Sequence, residues 1–335
     1  MYGYWGRIIK VDLSKRSTNV KEVKESLYRK FLGGVGIAAK VLFDEVDSQT
    51  DSLSPENEII FAVGPFQGTA IPGSGKWIAA SRSPLTGIWC DSCAGGSWGS
   101  AFKRTGFDAL IIRGRANSPT YLWIYDEKVE IKDATGIWGK TTSETESEIK
   151  KDLGESRVSV ACIGQAGEKL VRFASIINEH GVAGRCGLGA VMGSKNLKAV
   201  AVKGTKQIET AEPNKLSEYS KEVFKKIYDS TVNSLRKYGT TASVPKYINK
   251  MGYGLKENWR KGMKQFSPSL DGINGDHFLN LTVNSLACTN CPIACHRHTK
   301  VEEPEKYAYN GHGPEYETIA MFGWLNMIAD AKAAG

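Results

Sequence analysis

The first two hundred residues are dense in short runs of β-branched and aromatic residues, each bounded by glycine, proline, aspartate or asparagine. Such runs are typical of strands. We predict strands at residues 5–13, 58–64, 76–81, 109–113, 121–125, 129–132, 158–164, 172–177 and 199–203. Helices are predicted at 26–46, 97–105 and 142–153, the last with a capping-box pattern at Ser143 and Glu146. The pattern predicts the α+β fold class.

The sequence changes character after Lys203. A polar connector runs to Pro213, and apolar residues then recur at helical spacing through Leu216, Tyr219 and Val223. We therefore predict a β-rich domain at 1–208 and a mainly helical domain at 209–335, whose last helix spans 316–334. Helical composition continues to the final residue, so the second domain is expected to be truncated.

Composition restricts the class of protein further. With 335 residues, 41% apolar and 24% charged, the chain is expected to be globular. It has no signal-peptide pattern and no run of about 20 apolar residues, which predicts a cytoplasmic protein without a membrane span. Seven cysteines in so large a chain favour reduced thiols over a disulfide framework. The net charge of +8 is compatible with a nucleic acid, an acidic protein, an anionic cofactor or only a solvated mixed-charge surface.

Three cysteines and two histidines fall within residues 288–298. The spacing Cys288-x2-Cys291-x3-Cys295 brings three thiolates to one place. Thiolates bind iron–sulfur clusters and zinc. A [4Fe–4S] cluster would take its fourth ligand from elsewhere, whereas zinc would find it in His298. The residues alone leave both metals open, together with unliganded thiols.

The other four cysteines carry weaker signals. Cys90 and Cys93 form either a redox CxxC pair or two small residues lining a loop. Cys162 lies inside a predicted strand and is expected in the core. Cys186 lies in a glycine run and is expected to be a packing residue.

Glycine loops are the next unusual feature. Residues 181–198 hold the richest glycine run, in which Arg185, Lys195 and Lys198 supply positive charge. Glycine lets backbone N–H groups approach an anion closely. The run has neither the context of a dinucleotide loop nor the Walker spacing, and a structural turn is the alternative. With further loops at 32–36, 72–76 and 95–99, it suggests a large polyanionic ligand held mainly by backbone.

Two carboxylates, Glu315 and Glu317, follow the cysteines in the run Gly313-Pro-Glu-Tyr-Glu317. On a helix these two positions point apart, so at most one faces any given site. A carboxylate in a dry pocket has a raised pKa and can exchange protons near neutrality. The alternative is a pair of acidic residues that stabilise a helix N-terminus.

Several short motifs stand in a fixed order along the whole chain. They are Gly3-Tyr-Trp-Gly-Arg7 leading into Val11-Asp-Leu13, Leu53-Ser-Pro-Glu-Asn57, Ser83-Pro-Leu-Thr-Gly87, Ile163-Gly-Gln-Ala-Gly-Glu168, Gly189-Ala-Val-Met-Gly-Ser-Lys-Asn-Leu-Lys-Ala199, Cys288-x2-Cys-Pro-Ile-x-Cys295 and Gly313-Pro-Glu-Tyr-Glu317. With these motifs the chain resembles the N-terminal half and part of the middle of the tungsten-containing aldehyde:ferredoxin oxidoreductase family.

The resemblance implies a β-rich base under a tungsten (or molybdenum) bis-pyranopterin, with Mg²⁺ as a candidate link between the pterins. It implies a [4Fe–4S] cluster on Cys288, Cys291 and Cys295, whose fourth cysteine lies in a later domain beyond residue 335. About the last half of the family's length is missing here. A homodimer, or an assembly with a chain that supplies this half, is therefore expected.

By position, the resemblance also implies which residues contact the cofactor and the substrate. The pterin-contacting positions correspond to Lys76, Cys93, Gly95, Val182, Gly184 and Arg185. Glu317 corresponds to a carboxylate that acts on substrate. Lys76 replaces the usual arginine and lacks its planar fork, and Cys93 replaces an asparagine amide.

The implied reaction is the oxidation of an aldehyde to a carboxylic acid, with electrons passing through the cluster to ferredoxin. A basic surface would favour docking of that acidic partner. The alternative is a zinc-containing nucleic-acid-binding module that uses Cys288, Cys291, Cys295 and His298. Such a module needs Lys and Arg clustered with aromatic residues, and the sequence lacks that pattern. We therefore expect no nucleic-acid partner.

Overall fold

The structure is a computed structural model that describes residues 1–230, 232–242, 260 and 271–335. Contacts divide the chain into two units. The first contains Met1–Ser220 and Cys288–Asn290, and the second contains Lys221–Ala287 and Cys291–Gly335. The boundary predicted between residues 208 and 209 stays a prediction.

The first unit contains two six-stranded sheets. The strands of sheet one are β1 (Arg7–Asp12), β2 (Ser17–Glu22), β3 (Ile59–Ala62), β4 (Trp77–Arg82), β5 (Trp89–Ala94) and β6 (Ala109–Arg113), in the order β2-β1-β6-β3-β4-β5. Those of sheet two are β7 (Thr120–Tyr125), β8 (Lys128–Asp133), β9 (Ser159–Cys162), β10 (Ile176–Asn178), β11 (Gly181–Ala183) and β12 (Leu197–Lys203), in the order β11-β10-β9-β12-β7-β8. The pairs β1–β6 and β7–β12 are parallel, and the others are antiparallel.

One hydrophobic cluster contains buried residues of both sheets. At its centre, the ring of Trp98 lies 4.8 Å from that of Trp77 on β4 and 5.0 Å from that of Phe102. The Trp98 indole N–H donates to the carbonyl oxygen of Val200 on β12 at 2.9 Å. The helix Trp98–Lys103 (α3) therefore joins the two sheets through one aromatic side chain.

Seven helices belong to the first part of the chain, and their bounds follow. They are α1 (Glu25–Phe31), α2 (Val35–Glu45), α3 (Trp98–Lys103), α4 (Thr142–Leu153), α5 (Gln165–Glu168), α6 (Leu188–Ser194) and α7 (Pro213–Tyr228). The predicted helix 26–46 is two helices, because Leu32, Gly33 and Gly34 all have positive φ angles. The bounds predicted for α4 are confirmed. Its capping box, however, is formed by Thr141 and Glu144, because Thr141 has the extended N-cap conformation.

All nine predicted strands occur, although 172–177 overlaps only the start of β10. In the first unit three strands were missed, and each lacks the expected pattern. Strand β2 is mostly polar and exposed along its whole length, β5 mixes cysteine, serine and aspartate, and β11 has only three residues.

In the second unit, the described residues form short helices and a small antiparallel sheet. The elements are α8 (Asn233–Tyr238), α9 (Gly275–Leu281), β13 (Thr282–Leu286), β14 (His296–Val301), β15 (Tyr309–His312), α10 (Tyr316–Thr318), a π-helix (Ile319–Trp324) and α11 (Ala331–Ala334). The strand order is β13-β14-β15. The mainly helical prediction is thus only partly supported, and much of this domain lies outside the described residues.

The single helix predicted at 316–334 is wrong. The segment is interrupted after the π-helix, where Met327 has a φ of +60°. The sheet was missed because β14 alternates buried and partly exposed residues that are mostly polar. In the described residues, no helix is long and apolar enough to cross a membrane.

Asp108 organises the most deeply buried polar network of the first unit. Its carboxylate forms an ion pair with Lys103, and both side chains are almost fully buried. It also accepts hydrogen bonds from the Gly6 N–H at 2.8 Å, the Trp5 N–H at 3.0 Å and the Tyr28 hydroxyl at 2.9 Å. One carboxylate therefore fixes the N-terminal segment, α1 and the end of α3.

Glu58 carries another buried carboxyl group, and this one is incompletely hydrogen-bonded. The residue is 1% exposed, and its Oε2 has no hydrogen-bond partner among the described residues. Burial, with a smaller contribution from Glu45, raises the pKa of this carboxyl from 4.5 to about 7. The folded state therefore holds the proton more tightly than the unfolded state.

We expect Glu58→Gln to stabilise the protein at high pH. Because the folded pKa is raised, the contribution of Glu58 to stability is complete below pH 4.5 and is lost as pH rises through about 7. The loss at pH 8 should reach about 3 kcal/mol, and the variant should lack it. Urea unfolding between pH 5 and 8 measures this, with exposed Glu22→Gln as the control. Parallel pH profiles for wild type and Glu58→Gln would contradict the prediction.

Candidate functional site

Cys288 lies against a pair of glycines in the first unit. A Cβ atom on Gly95 would lie 2.5 Å from the Cys288 Sγ, so only glycine leaves room for this thiol. Thr289 donates its N–H to the Gly96 carbonyl oxygen at 3.2 Å. The end of β5 therefore positions the first cysteine of the cluster motif.

The loop before β4 holds the other side of this segment. Gly73 donates its N–H to the Asn290 carbonyl oxygen at 3.1 Å, and the Asn290 amide donates to Thr69 at 2.7 Å. A Cβ on Gly75 would lie 3.0 Å from the backbone nitrogen of Thr289. Two of the predicted glycine loops, 72–76 and 95–99, thus enclose residues 288–290.

The third glycine loop packs against the second. A Cβ on Gly181 would lie 2.7 Å from the Gly95 carbonyl oxygen. Just before it, His180 has a ring nitrogen within 4.8 Å of the Cys288 Sγ. Sequence reasoning missed His180, because an isolated histidine beside a glycine run has no recognisable spacing to the cysteines.

Lys76 and Cys93 are neighbours across β4 and β5. Both are exposed, and Cys93 pairs with Ile78 in the sheet register. Desolvation raises the pKa of the Cys93 thiol, the Lys76 ammonium acts in the opposite direction, and Asp91 and Cys288 raise it further. Cys93 is therefore electrostatically coupled to both Lys76 and Cys288.

Val182, Gly184 and Arg185 are exposed residues at and after β11. The backbone N–H of Arg185 donates to the Ser92 hydroxyl at 3.1 Å, which joins this run to β5. All six predicted pterin-contacting residues of the first unit therefore lie on or beside β4, β5 and β11. The Arg185 side chain and the Lys76 side chain supply two exposed positive charges there.

Lys195 and Lys198 do not supply charge to a ligand, contrary to the prediction. Both are 0% exposed. The Lys195 ammonium donates to the carbonyl oxygens of Pro55, Asn57 and Gly114, and Lys198 forms an ion pair with Glu168. Residues 188–194 are the buried helix α6, so the second half of the glycine run belongs to the core.

The prediction that Cys90 and Cys93 line a loop is also wrong. Both lie on β5, three positions apart, where side chains point to opposite faces. Cys90 is buried and Cys93 is exposed. Such a pair cannot close a local disulfide while the strand persists, which excludes the CxxC alternative.

In the second unit, Arg297 orders the residues around Cys295. Its guanidinium group is almost fully buried. It donates to the carbonyl oxygens of Ala294 at 2.7 Å, His296 at 2.8 Å and Arg236 at 2.6 Å. Cys291 and Cys295 are both partly buried. This role could not be predicted from the sequence, since an arginine between two histidines looks like a surface residue.

Glu315 and Glu317 have different surroundings. Glu317 is exposed in the first turn of α10. Glu315 accepts a hydrogen bond from the Thr240 hydroxyl at 2.8 Å and lies 2.7 Å from the His296 Nδ1. Burial favours a higher pKa for Glu315, but His296, Thr240 and Arg297 together outweigh burial and lower the pKa. His298, the candidate zinc ligand, has its Nε2 within 2.8 Å of the Asn310 side-chain oxygen.

Two protein-family models together match most of the chain. Residues 8–204 match the N-terminal domain of aldehyde ferredoxin oxidoreductase, and residues 218–334 match its domains 2 and 3. The chain belongs to the aldehyde ferredoxin oxidoreductase family. This result confirms the family resemblance, and the mixed α/β architecture agrees with the predicted fold class.

Among the relatives within the aldehyde ferredoxin oxidoreductase family, two archaeal proteins are especially similar. The chain is 42% identical over 330 residues to the tungsten-containing aldehyde ferredoxin oxidoreductase of Pyrococcus furiosus, and 40% identical to that of Pyrococcus abyssi. Each match covers 96% of this chain and 53% of the relative. The chain therefore spans about half the length of these relatives.

A solved structure is similar over nearly the whole chain. It is the active-site complex BamBC of benzoyl coenzyme A reductase in complex with 1,5-dienoyl-CoA. The TM-score is 0.87 at 29% identity, and the match covers 99% of this chain and 51% of the other. The fold is therefore shared with an enzyme complex that is named for a different reaction.

Proposed function

We propose that the chain is the cofactor-binding part of an oxidoreductase that converts an aldehyde to a carboxylic acid. The proposed cofactors are a tungsten (or molybdenum) bis-pyranopterin, with Mg²⁺ between the pterins, and a [4Fe–4S] cluster. The main support for this proposal is the close contact between Cys288 and Gly95. Lys76, Cys93 and the run 182–185 lie near this contact. The greater identity to the aldehyde enzymes than to the benzoyl coenzyme A reductase favours an aldehyde substrate.

The residues at β4, β5 and β11 fit a large anionic cofactor. Gly95 and Gly184 carry no side chain and let the backbone approach a ligand, and Lys76 and Arg185 are exposed cations beside them. Cys93 and Val182 add a thiol and an apolar surface at the same edge. We assign these six residues to pterin binding.

We assign Cys288, Cys291 and Cys295 to the [4Fe–4S] cluster. The assignment rests on their spacing, on the glycines that seat Cys288 and on the Arg297 contacts beside Cys295. The fourth ligand is proposed to come from the part of the complete protein that follows. Thiolate ligation requires deprotonated cysteines, and the Arg297 guanidinium favours a negative charge at Cys295.

The bound metal–pterin supplies the two-electron redox chemistry, and the protein residues supply binding and proton handling. Glu317 is proposed to orient the attacking water and to accept its proton. Lys76 and Arg185 would neutralise negative charge on the cofactor, and Cys93 interacts electrostatically with both Lys76 and Cys288. The proposed electron acceptor is ferredoxin, and the proposed compartment is the cytoplasm. A homodimer or an association with a completing chain is proposed for the whole protein.

Anaerobic metal reconstitution tests this function. The 335-residue chain is incubated with iron and sulfide, or with zinc, and bound metal and acid-labile sulfide are measured. Iron and sulfide in equal amounts, lost in Cys288→Ser, Cys291→Ser and Cys295→Ser but retained in His298→Ala, support the cluster. Zinc binding that depends on His298, without sulfide, would instead support the nucleic-acid-binding alternative.

Glu317→Gln in the complete protein should lower turnover of aldehyde by about 10²–10⁴-fold, because the amide cannot accept a proton. Tungsten, pterin and iron contents should not change. Glu305→Gln is the matched control, since Glu305 is also exposed. Unchanged turnover in Glu317→Gln would remove this carboxylate from the mechanism.

A further inference from the structure

Two cysteines without a role in the proposed function meet in the first unit. Cys90 on β5 is buried in the large hydrophobic cluster, and Cys186, which follows the exposed run 182–185, packs against the same cluster. They are far apart in sequence, so the fold alone brings them together. The predicted packing role of Cys186 is therefore correct but incomplete.

Hydrogen bonds hold Cys186 and the residue before it in place beside β5. The Cys186 thiol donates to the Asp91 carbonyl oxygen at 3.7 Å. The Ser83 hydroxyl donates to the Cys186 carbonyl oxygen at 2.7 Å, and the N–H of the preceding residue, Arg185, donates to the Ser92 hydroxyl. The Cys186 sulfur is thus fixed beside residues 90 and 91.

Cys90 and Cys186 also interact with each other. Burial raises the pKa of the Cys90 thiol, and its interaction with Cys186 raises it further. Cys90 is 7% exposed, whereas Cys186 is only partly buried. A small oxidant therefore reaches Cys186 first, and Cys90 is a neighbouring thiol that can react with the product.

We propose that Cys90 and Cys186 form a redox pair that a peroxide converts into a disulfide. An oxygen atom of the peroxide is transferred to the Cys186 sulfur, which gives a sulfenic acid and one water. The Cys90 sulfur then bonds to the Cys186 sulfur, and the hydroxyl group leaves with the Cys90 proton as a second water. Two thiols lose two electrons, and one peroxide becomes two waters.

The disulfide would fasten the run that carries Arg185 covalently to β5. In the reduced protein, this connection is noncovalent and includes hydrogen bonds to Ser92 and Asp91 on β5 and to nearby Ser83. Oxidation would therefore fix the backbone at Arg185, one of the residues assigned to pterin binding. This consequence rests on the proposed function, but the pair itself does not.

Peptide mapping tests the proposal on the 335-residue chain. The reduced protein is treated with hydrogen peroxide, alkylated, and digested with trypsin and a protease that cleaves before aspartate. Cleavage before Asp91 separates Cys90 from Cys93, and cleavage after Arg185 releases Cys186 in residues 186–195. We expect a cross-linked species joining residues 83–90 to 186–195. A Cys186 that pairs with Cys93, or that passes to sulfinic acid without a cross-link, would overturn the proposal.

Three variants distinguish a disulfide between Cys90 and Cys186 from general oxidation of the cysteines. Cys186→Gly should fold, because residue 186 has a φ of +68° that glycine adopts readily, and it should form no cross-link. Cys90→Ser should accumulate a sulfenic acid at Cys186 that dimedone traps. Cys162→Ser is the matched control, since Cys162 is a buried thiol on β9, and it should leave the cross-link yield unchanged. Native circular dichroism of each variant confirms that the folded chain was tested.

The test is independent of cofactor content. Failure of iron reconstitution with a normal cross-link would contradict the proposed function only. Normal reconstitution without a cross-link would contradict this inference only.

Discussion

Replacing Asp108 with alanine is expected to lower the free energy of unfolding by about 3–5 kcal/mol, because it leaves the buried Lys103 ammonium without its partner. The substitution also removes the acceptor for the Trp5 N–H, the Gly6 N–H and the Tyr28 hydroxyl. Urea unfolding followed by tryptophan fluorescence measures the change. The N-terminal segment should become sensitive to proteolysis at lower urea concentrations.

Asp44→Ala is the matched control for this prediction. Asp44 forms an ion pair with Lys40 at 2.6 Å on the exposed surface of α2, four residues apart. Exposed pairs of this kind contribute only about 0.2–1 kcal/mol. An Asp108→Ala variant that loses no more stability than Asp44→Ala would show that the buried network is not a major source of stability.

Gly95→Ala is expected to remove most of the iron that the reconstituted chain binds. The new methyl group would lie 2.5 Å from the Cys288 Sγ, so Cys288 must move away from the end of β5. Overpacking of this kind also costs about 1–3 kcal/mol of stability. Iron and acid-labile sulfide per chain measure the first effect, and thermal unfolding measures the second.

Gly136→Ala controls for the loss of a glycine, since a Cβ at that position meets nothing within 4 Å. It should retain wild-type iron content. If Gly95→Ala folds and binds iron as well as Gly136→Ala does, the contact between Gly95 and Cys288 is not needed for cluster binding.

The sequence predicted the elements that have a regular pattern of burial. Strands such as β3 and β9 are continuous apolar runs, and α4 has a clear start and end. Strand β2 was missed because all its residues are exposed and only Val20 is apolar, so its pairing with β1 across residues 13–16 leaves no burial pattern in the sequence. The small sheet of the second unit was missed for a similar reason.

For the site, the sequence identified residue types but not their burial. Lys195 and Lys198 were predicted to face a ligand, because charge is visible in a sequence whereas enclosure by backbone carbonyls is not. The contact of His180 with the Cys288 region and the contact of Cys90 with Cys186 both depend on which strands lie side by side. Such neighbours cannot be deduced from the spacing of residues along the chain.

The Arg297 contacts have a consequence for how metal enters. Four carbonyl oxygens, of Leu235, Arg236, Ala294 and His296, accept hydrogen bonds from this one side chain. The backbone beside Cys295 therefore loses its conformational freedom when the polypeptide folds, and little entropy remains to be lost on ligation. We expect insertion of iron to resemble docking into a preorganised receptor, with almost no change in helix content, and not the coupled folding seen in small zinc domains.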